Sequence, residues 1–319
     1  MTKTLSRFLY GGDYNPDQWT EETWPEDIKV FKKADLNSAT INIFSWAVLE
    51  PREGVYDFSK LDKIVQELSD ANFDIVMGTA TAAMPAWMFK KYPDIARVDY
   101  QGRRHVFGQR HNFCPNSKNY QRLDSELVKK LAQHYADNPH IVVWHVNNEY
   151  GGNCYCGNCQ NAFRDWLRNK YKTLGALNKA WNMNVWSHTI YDWDEIVVPN
   201  ELGDAWGPES SEAIVAGLSI DYLRFQSESL QNLFKMEKAV IKKYDPETPV
   251  TFANQADHDN AVCLMVNSAI KFAYQSRFTD DHQSVVVYVS GPDSKLKSGL
   301  KSLGLTLADT TELEGATSD

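Results

Sequence analysis

The sequence predicts an α/β fold, a TIM (β/α)8 barrel that is incomplete within this chain. Apolar runs of strand length alternate with amphipathic helical segments, which is the pattern of a parallel sheet covered by helices. Residues 141–149 (IVVWHVNNE) form a β-branched run that ends at a carboxylate, as a buried parallel strand does. Because functional side chains lie at the carboxyl ends of barrel strands, this run is the most informative segment of the chain.

The elements follow one another in regular order. We expect strands, each an apolar run bounded by turn-forming residues, at residues 8–12, 39–46, 73–80, 141–149 and 249–253. We expect helices, each with one apolar face, at residues 24–34, 58–72, 118–136, 160–172 and 220–244. The apolar face of the last helix consists of Leu223, Leu230, Leu233, Phe234, Val240 and Ile241.

The chain divides into two parts of different character. Residues 1–254 carry the strand–helix pattern of the barrel domain, and residues 255–319 form a divergent tail. For the tail we expect a helix at 260–275, a strand at 284–290 and a Lys-rich helix at 295–304. A closed eight-stranded barrel would need roughly three further strand–helix units, so we expect exposed sheet edges, which favour association.

The bulk composition excludes several classes of function. The chain is 43% hydrophobic and 24% charged, as globular proteins are. Its net charge of −9 argues against a general nucleic-acid or anionic-membrane binder, because there is no basic excess to neutralise phosphates. The N-terminal residues lack the apolar stretch of a signal peptide, and no run approaches the roughly 18 apolar residues of a membrane span. We therefore expect a cytoplasmic location.

The carboxylate that ends the run at residues 141–149 is the leading catalytic candidate. A general acid works best in a partly dry cleft, where its proton is held near neutral pH, and the end of an apolar strand suits Glu149 to that role. Asn148 beside it is placed to hydrogen-bond a substrate hydroxyl. The alternative interpretation of Glu149 is a surface carboxylate at a strand end.

A cluster of cysteines follows almost at once. Cys154, Cys156 and Cys159 supply three thiols in one loop, and Cys114 is the obvious fourth. A closed structural zinc site needs four such ligands, and clustering of this kind in a reducing compartment favours a metal over disulfides. With four sulfurs and no open position, the zinc would be structural. The alternative is a set of unligated thiols in a solvent-exposed loop.

Aromatic and basic residues give weaker indications. A dense set of tryptophans fits a carbohydrate cleft, where flat sugar faces stack on rings, although core packing is the alternative for each: Trp19, Trp46, Trp87, Trp144, Trp181 and Trp186. Arg110, four residues before Cys114, can pair with a sugar hydroxyl or orient a carboxylate. Its alternative is an ordinary exposed arginine.

Taken together, these motifs resemble glycoside hydrolase family 42, the β-galactosidases with a catalytic TIM barrel. The resemblance covers roughly residues 8–254 and rests on long segments: 11–19 (GGDYNPDQW), 42–51 (NIFSWAVLEP), 144–152 (WHVNNEYGG) with its cysteine triplet, 177–181 (LNKAW) and 186–187 (WS). Arg110 together with Cys114 completes the set.

The resemblance implies a retaining hydrolysis of terminal β-D-galactosides. Glu149 would be the general acid/base, and Arg110 and Asn148 would bind the galactosyl group or position the nucleophile. Trp186 would line the −1 subsite. Zinc would be the structural cofactor, held by Cys114, Cys154, Cys156 and Cys159. A β-galactoside or galacto-oligosaccharide is the implied partner, and the homo-oligomers of the family depend on domains that are not recognisable in this chain.

The sequence departs from the family pattern at the second catalytic carboxylate. A retaining glycosidase needs a nucleophile about 5–5.5 Å from the acid/base, and the family places a glutamate at the end of the seventh strand. After Glu247 only Glu312 and Glu314 remain, both in a polar end segment, so we assign no nucleophile. Three hypotheses stay open: a β-galactosidase, an inactive remnant that binds zinc and sugar, and a related barrel glycosidase acting on another sugar.

Overall fold

A computed structural model describes residues 5, 7–203, 216–252, 286–288 and 306–308. The chain forms two compact units, Met1–Ala256 and Asp257–Asp319. Within the first unit, five parallel strands form one sheet: β1 (Gly11–Asp13), β2 (Ser38–Ile41), β3 (Asp74–Gly78), β4 (Ile141–His145) and β5 (Val250–Thr251). The strands lie side by side in chain order, β1-β2-β3-β4-β5. This order favours a barrel, because a doubly wound sheet reverses its strand order partway along the chain.

Eight α-helices occur in the described part of this unit. Their bounds are α1 (Trp24–Lys33), α2 (Trp46–Leu49), α3 (Ser59–Asp70), α4 (Ala86–Lys91), α5 (Lys118–Tyr135), α6 (Gly157–Tyr171), α7 (Leu174–Trp181) and α8 (Ala216–Tyr244). The five helices expected from the sequence are present, each with bounds within a few residues of the prediction. The short helices α2, α4 and α7 were not predicted, since segments of four to eight residues give little periodicity to detect.

The apolar face of α3 packs against the sheet, whereas that of α6 lies in a second core with the cysteines. Helix α3 buries Leu61, Ile64, Val65 and Leu68, which recur at helical spacing. From the sheet side, Ile41, Ile75, Met77 and Trp144 are fully buried in the same core. None of the helices in the described residues combines the length and the apolarity needed to cross a bilayer.

The register of the sheet brings the carboxyl ends of its strands to the same end of the sheet. Ile41 pairs with Met77, Gly78 with His145, and His145 with Thr251. At this end of the sheet a side chain on Gly78 would come within 2.8 Å of the Ile41 carbonyl, so only glycine fits. The residues that follow each strand therefore gather above the same end of the sheet, where barrel enzymes place their active sites.

Four predicted strands end earlier in the structure than the sequence suggested, and the difference is largest for two of them. The run at 141–149 is extended only as far as His145, because Asn147 adopts a left-handed backbone conformation with φ of 52°. The run at 39–46 ends at Ile41, and Asn42 is likewise left-handed with φ of 63°. Glu149 thus lies in the turn beyond β4 and not in the strand itself.

The second unit contains two short strands in the described residues. Strand β6 (Val286–Tyr288) pairs in parallel with β7 (Thr306–Ala308). β6 lies inside the strand expected at 284–290, whereas β7 was not predicted. The helices expected at 260–275 and 295–304 lie outside the described residues.

Candidate active site

An ion pair between Arg110 and Glu149 lies above the carboxyl end of the sheet. The Arg110 Nη2 atom is 2.7 Å from Glu149 Oε2, and the two side chains are 37% and 34% exposed. The Arg110 guanidinium also lies over the ring of Phe44, 5.6 Å from its centroid. A charge-assisted bond together with a cation–π contact restricts both side chains while leaving the carboxylate accessible to a ligand.

The backbone around Glu149 is held in an unusual conformation. Glu149 has φ of 46° and Asn147 has φ of 52°, both in the left-handed region. Asparagine tolerates this region, but for glutamate it costs free energy, and such strain clusters at functional sites. Ala80 and His111, with φ of 64° and 55°, add two more left-handed residues among the segments that contact this turn.

A small hydrogen-bond network fixes the turn. The Asn147 amide N–H donates to Thr79 Oγ1 at 2.8 Å, and Asn147 Nδ2 donates to Thr81 Oγ1 at 3.0 Å. The Asn148 N–H donates to Asn147 Oδ1 at 2.9 Å. Because these acceptors are buried, the bonds exclude water and define a single conformation of the turn.

Two histidines hold Asn148, one at its buried side chain and one at its backbone carbonyl. His145 Nε2 lies 3.3 Å from Asn148 Oδ1, and His111 Nε2 contacts the Asn148 carbonyl oxygen. Burial lowers the pKa of both imidazoles, so each is neutral near pH 7 and donates from Nε2. With its oxygen occupied, Asn148 presents its NH2 group, for which the described residues provide no acceptor.

The tryptophans divide between the core and the surface. Trp46, Trp144 and Trp181 are buried, and each donates its indole N–H to a carboxylate, so they cannot stack on a sugar. Trp186 is 73% exposed, with its ring against His188. The structure thus brings Arg110, Asn148 and Glu149 together, whereas the contact it gives the Trp186 ring lies elsewhere.

Four buried cysteines meet in a second cluster close to the turn. The Sγ atoms of Cys114, Cys154, Cys156 and Cys159 all lie within 4.8 Å of one another. Cys114 Sγ is 3.4 Å from Cys156 Sγ and 3.5 Å from Cys159 Sγ. Sulfurs bound tetrahedrally to zinc at about 2.3 Å are roughly 3.8 Å apart, so the donor set fits that ion.

The surroundings of the cysteine cluster suit a negatively charged metal site. Hydrogen bonds with the other three thiols raise the pKa of Cys114 well above its usual range, and the bond with Cys154 has the largest effect. Thiolates this close repel one another when no cation lies between them. The half-buried Arg97 guanidinium faces Cys154 and passes directly over Gly152, where a side chain would overlap it. Its positive charge would offset part of the charge of four thiolates.

Several residues of this region were not identified from the sequence. His111 and His145 flank the predicted Arg110 and Asn148 in sequence, and that proximity was the available signal. Glu237 lies on the otherwise apolar face of α8 and bonds to Thr81, and a lone carboxylate in an apolar stripe was a signal that could have been used.

Known proteins match this chain over most of its length. The model of glycoside hydrolase family 42, described as β-galactosidase, matches residues 13–288. The β-galactosidase LacZ of Lactobacillus acidophilus is 86% identical over 247 residues, 77% of this chain and 37% of that protein. The β-galactosidase BgaP of Planococcus sp. is 50% identical over 248 residues, 77% of this chain and 36% of that protein.

Solved structures give the same result. The crystal structure of a β-galactosidase from Bacillus circulans sp. alkalophilus superposes with a TM-score of 0.74 at 53% identity, covering 76% of this chain and 36% of that one. With the parallel sheet in chain order, this likeness makes the fold α/β and TIM-barrel-like. The chain spans about 37% of the length of the Lactobacillus relative. From the family match and these identities, the chain belongs to glycoside hydrolase family 42.

Proposed function

We propose that this chain provides part of the active site of a retaining β-galactosidase, which hydrolyses terminal β-D-galactosides. The observation that carries the proposal is the accessible Glu149 carboxylate, paired with Arg110 beside the free NH2 group of Asn148. Proteins that share 86% and 50% identity with this chain are named β-galactosidases.

Each residue has a distinct part in the proposed reaction. Glu149 gives its proton to the glycosidic oxygen as the bond to the anomeric carbon breaks, and later removes a proton from the attacking water. Asn148 donates a hydrogen bond to a sugar hydroxyl, and Arg110 holds Glu149 in place. Trp186 as a wall of the −1 subsite stays a prediction, since its ring contacts His188.

The nucleophile is left unassigned. Retention requires a second carboxylate about 5–5.5 Å from the first, to form and then release a glycosyl-enzyme ester. Glu312 and Glu314 lie outside the described residues. Hydrolysis by this chain alone therefore separates an enzyme from a remnant that only binds zinc and sugar.

We also propose that Cys114, Cys154, Cys156 and Cys159 hold a structural zinc ion. The supporting observations are four buried sulfurs within 4.8 Å of one another and the neighbouring Arg97. Cys154 and Cys156 lie between the Glu149 turn and α6, and Cys159 lies in the first turn of that helix, so the metal would anchor the segment that follows the acid/base.

The proposed function is tested with a set of aryl glycosides. The purified chain should hydrolyse an aryl β-galactoside in preference to the aryl α-galactoside and the aryl β-glucoside, and NMR should show the β anomer of galactose as the first product. The α anomer as first product would contradict the retaining mechanism. No turnover by folded chain would favour the binding remnant.

A substitution at Asn148 tests its role as a donor to the sugar. Asn148→Asp keeps the shape of the side chain but replaces the NH2 group with an oxygen that cannot donate. We expect kcat/KM for the aryl β-galactoside to fall by roughly 10- to 100-fold, because the hydroxyl loses its donor and meets an acceptor. Asn169→Asp, on the exposed face of α6, is the matched control and should leave kcat/KM unchanged. An equal loss in both variants would argue against the assigned role.

A further inference from the structure

Two carboxylic residues, Asp124 of α5 and Glu237 of α8, meet in the core beneath the Glu149 turn. Both are 0% exposed on helices that pack against each other, and each carboxyl group is among the causes of the shift in the other's pKa. Neither helix supplies a lysine or arginine to pair with them among the described contacts. A pair of buried carboxyl groups without a cation is costly, so its retention calls for a physical reason.

The hydrogen bonds distinguish the two carboxyl groups. Glu237 accepts from Thr81 Oγ1 at 3.1 and 3.2 Å and from the Tyr150 hydroxyl at 3.1 Å. Asp124 receives no hydrogen bond from a described donor, because the hydroxyl of the adjacent Tyr120 donates to the Thr81 carbonyl at 3.0 Å. When the pair holds a single proton, the group that accepts several donors carries the negative charge and the group that accepts none keeps the proton.

Burial acts in the same direction on both groups. It raises the pKa of Asp124 well above its ordinary value and that of Glu237 to about 7. The other titratable side chains in contact with the pair are the phenols of Tyr120 on α5 and Tyr150 after β4. Burial raises the pKa of each phenol well above its usual value, so both stay neutral.

Glu237 is connected to the turn through two hydrogen bonds. Thr81 Oγ1 donates to Glu237 and accepts from Asn147 Nδ2, and Asn147 Oδ1 in turn accepts the Asn148 N–H. The direction of donation is fixed along this chain, because the single hydroxyl proton of Thr81 points to Glu237. A change at Glu237 therefore changes how the Thr81 hydroxyl is oriented, and with it the lone pair that accepts from Asn147 Nδ2.

We propose that Glu237, sharing one proton with Asp124, is the positioning residue that holds the Asn147–Glu149 turn in its left-handed conformation. The proton of Asp124 points at Glu237, which leaves the Glu237 carboxylate to orient Thr81 and Tyr150. The consequence for the acid/base rests on the proposed function of Glu149. The shared proton and the positioning of the turn by Glu237 do not depend on that function, and both can be measured without an activity assay.

The shared proton gives the stability of the chain a defined pH dependence. Both folded-state pKa values are raised, so the stability that the pair contributes is complete below the ordinary carboxyl values near 4. It is lost as pH rises through the folded values, about 7 for Glu237. Asp124→Asn removes the titration of Asp124 but keeps a donor towards Glu237 at every pH.

The first test compares denaturant midpoints at pH 5 and pH 8. The denaturant midpoint of the Asp124→Asn chain minus that of the unchanged chain should be larger at pH 8 than at pH 5. Glu126→Gln, on the exposed face of the same helix, is the matched control, and its offset should stay constant. A constant offset for Asp124→Asn as well would overturn the shared proton.

The second test measures hydrogen exchange at the backbone amides of Asn147 and Asn148. Glu237→Ala should speed exchange there by about fivefold relative to the amides of α3, since a hydrogen bond of roughly 1 kcal/mol is lost. Glu237→Gln should preserve protection, because its carbonyl accepts from Thr81 and Tyr150 while its NH2 donates to Asp124. Equal exchange in the alanine and glutamine variants would overturn the positioning role. Should the alanine variant fail to fold, loss of protection in the glutamine variant would do the same.

Discussion

Glu149→Gln is expected to lower kcat/KM for a β-galactoside by roughly 10²- to 10⁴-fold. The amide keeps the size of the side chain and can still accept a bond from Arg110, which lies 2.7 Å from the carboxylate. The left-handed backbone at Glu149 is no more strained with glutamine than with glutamate. The loss would therefore report the missing proton and not a collapsed site.

Substrates with different leaving groups test whether Glu149 acts as the proton donor. An alkyl galactoside needs its departing oxygen protonated, whereas a nitrophenyl galactoside has a leaving group that departs readily as an anion. The loss in Glu149→Gln should be larger for the alkyl substrate in steady-state measurements. Glu201→Gln, on an exposed surface residue, is the matched control and should behave as the unchanged chain. Equal losses on both substrates would point to a role for Glu149 other than proton donor.

Removal of the proposed zinc ion is expected to have the largest effect on stability. The four cysteines lie in a buried cluster that also includes Phe163 and Tyr222, so stripping the ion leaves four thiols facing one another in a core. Structural zinc sites stabilise small folds by about 10–16 kcal/mol in isolation. If even about 4 kcal/mol is lost here, the Tm should fall by roughly 8–16 °C.

Metal analysis and thermal unfolding check this expectation together. We expect about one zinc per chain and a lowered Tm after chelation, with recovery when zinc is returned. Cys156→Ser should reduce the zinc content and the Tm, whereas Cys263→Ser, outside the proposed ligand set, should change neither. Purified chain without zinc, and with a Tm insensitive to chelator, would contradict the metal site.

The sequence predicts the parts of this molecule in which local pattern and tertiary structure agree. The long helices follow their apolar periodicity, and the strands follow apolar runs. The strand ends were misplaced because the left-handed turns at Asn42 and Asn147 are set by buried partners distant in sequence, such as Thr81. No local pattern marks those contacts in advance.

The candidate site divides in the same way. Glu149 and Asn148 are neighbours in one segment, and the clustering of the cysteines was visible in their spacing. The pairing of Arg110 with Glu149 was one of two alternatives for that arginine. The contact between Asp124 and Glu237 joins two helices far apart in sequence, so it required the packing of α5 on α8. Trp186 as a wall of the −1 subsite stays a prediction.

The chain-order arrangement of the sheet has a consequence for folding kinetics. Each strand pairs with the strand before it, so every new strand–helix unit can dock on a template that has already left the ribosome. The loop closed at each step spans the helices between two consecutive strands, from one helix up to the three between β4 and β5. Because the entropy cost of closure grows only slowly with loop length, that cost stays moderate although the sheet is parallel. We therefore expect the first unit to gain structure progressively from its N-terminal end during synthesis. Of the described strands of this unit, β5 should be the last to pair.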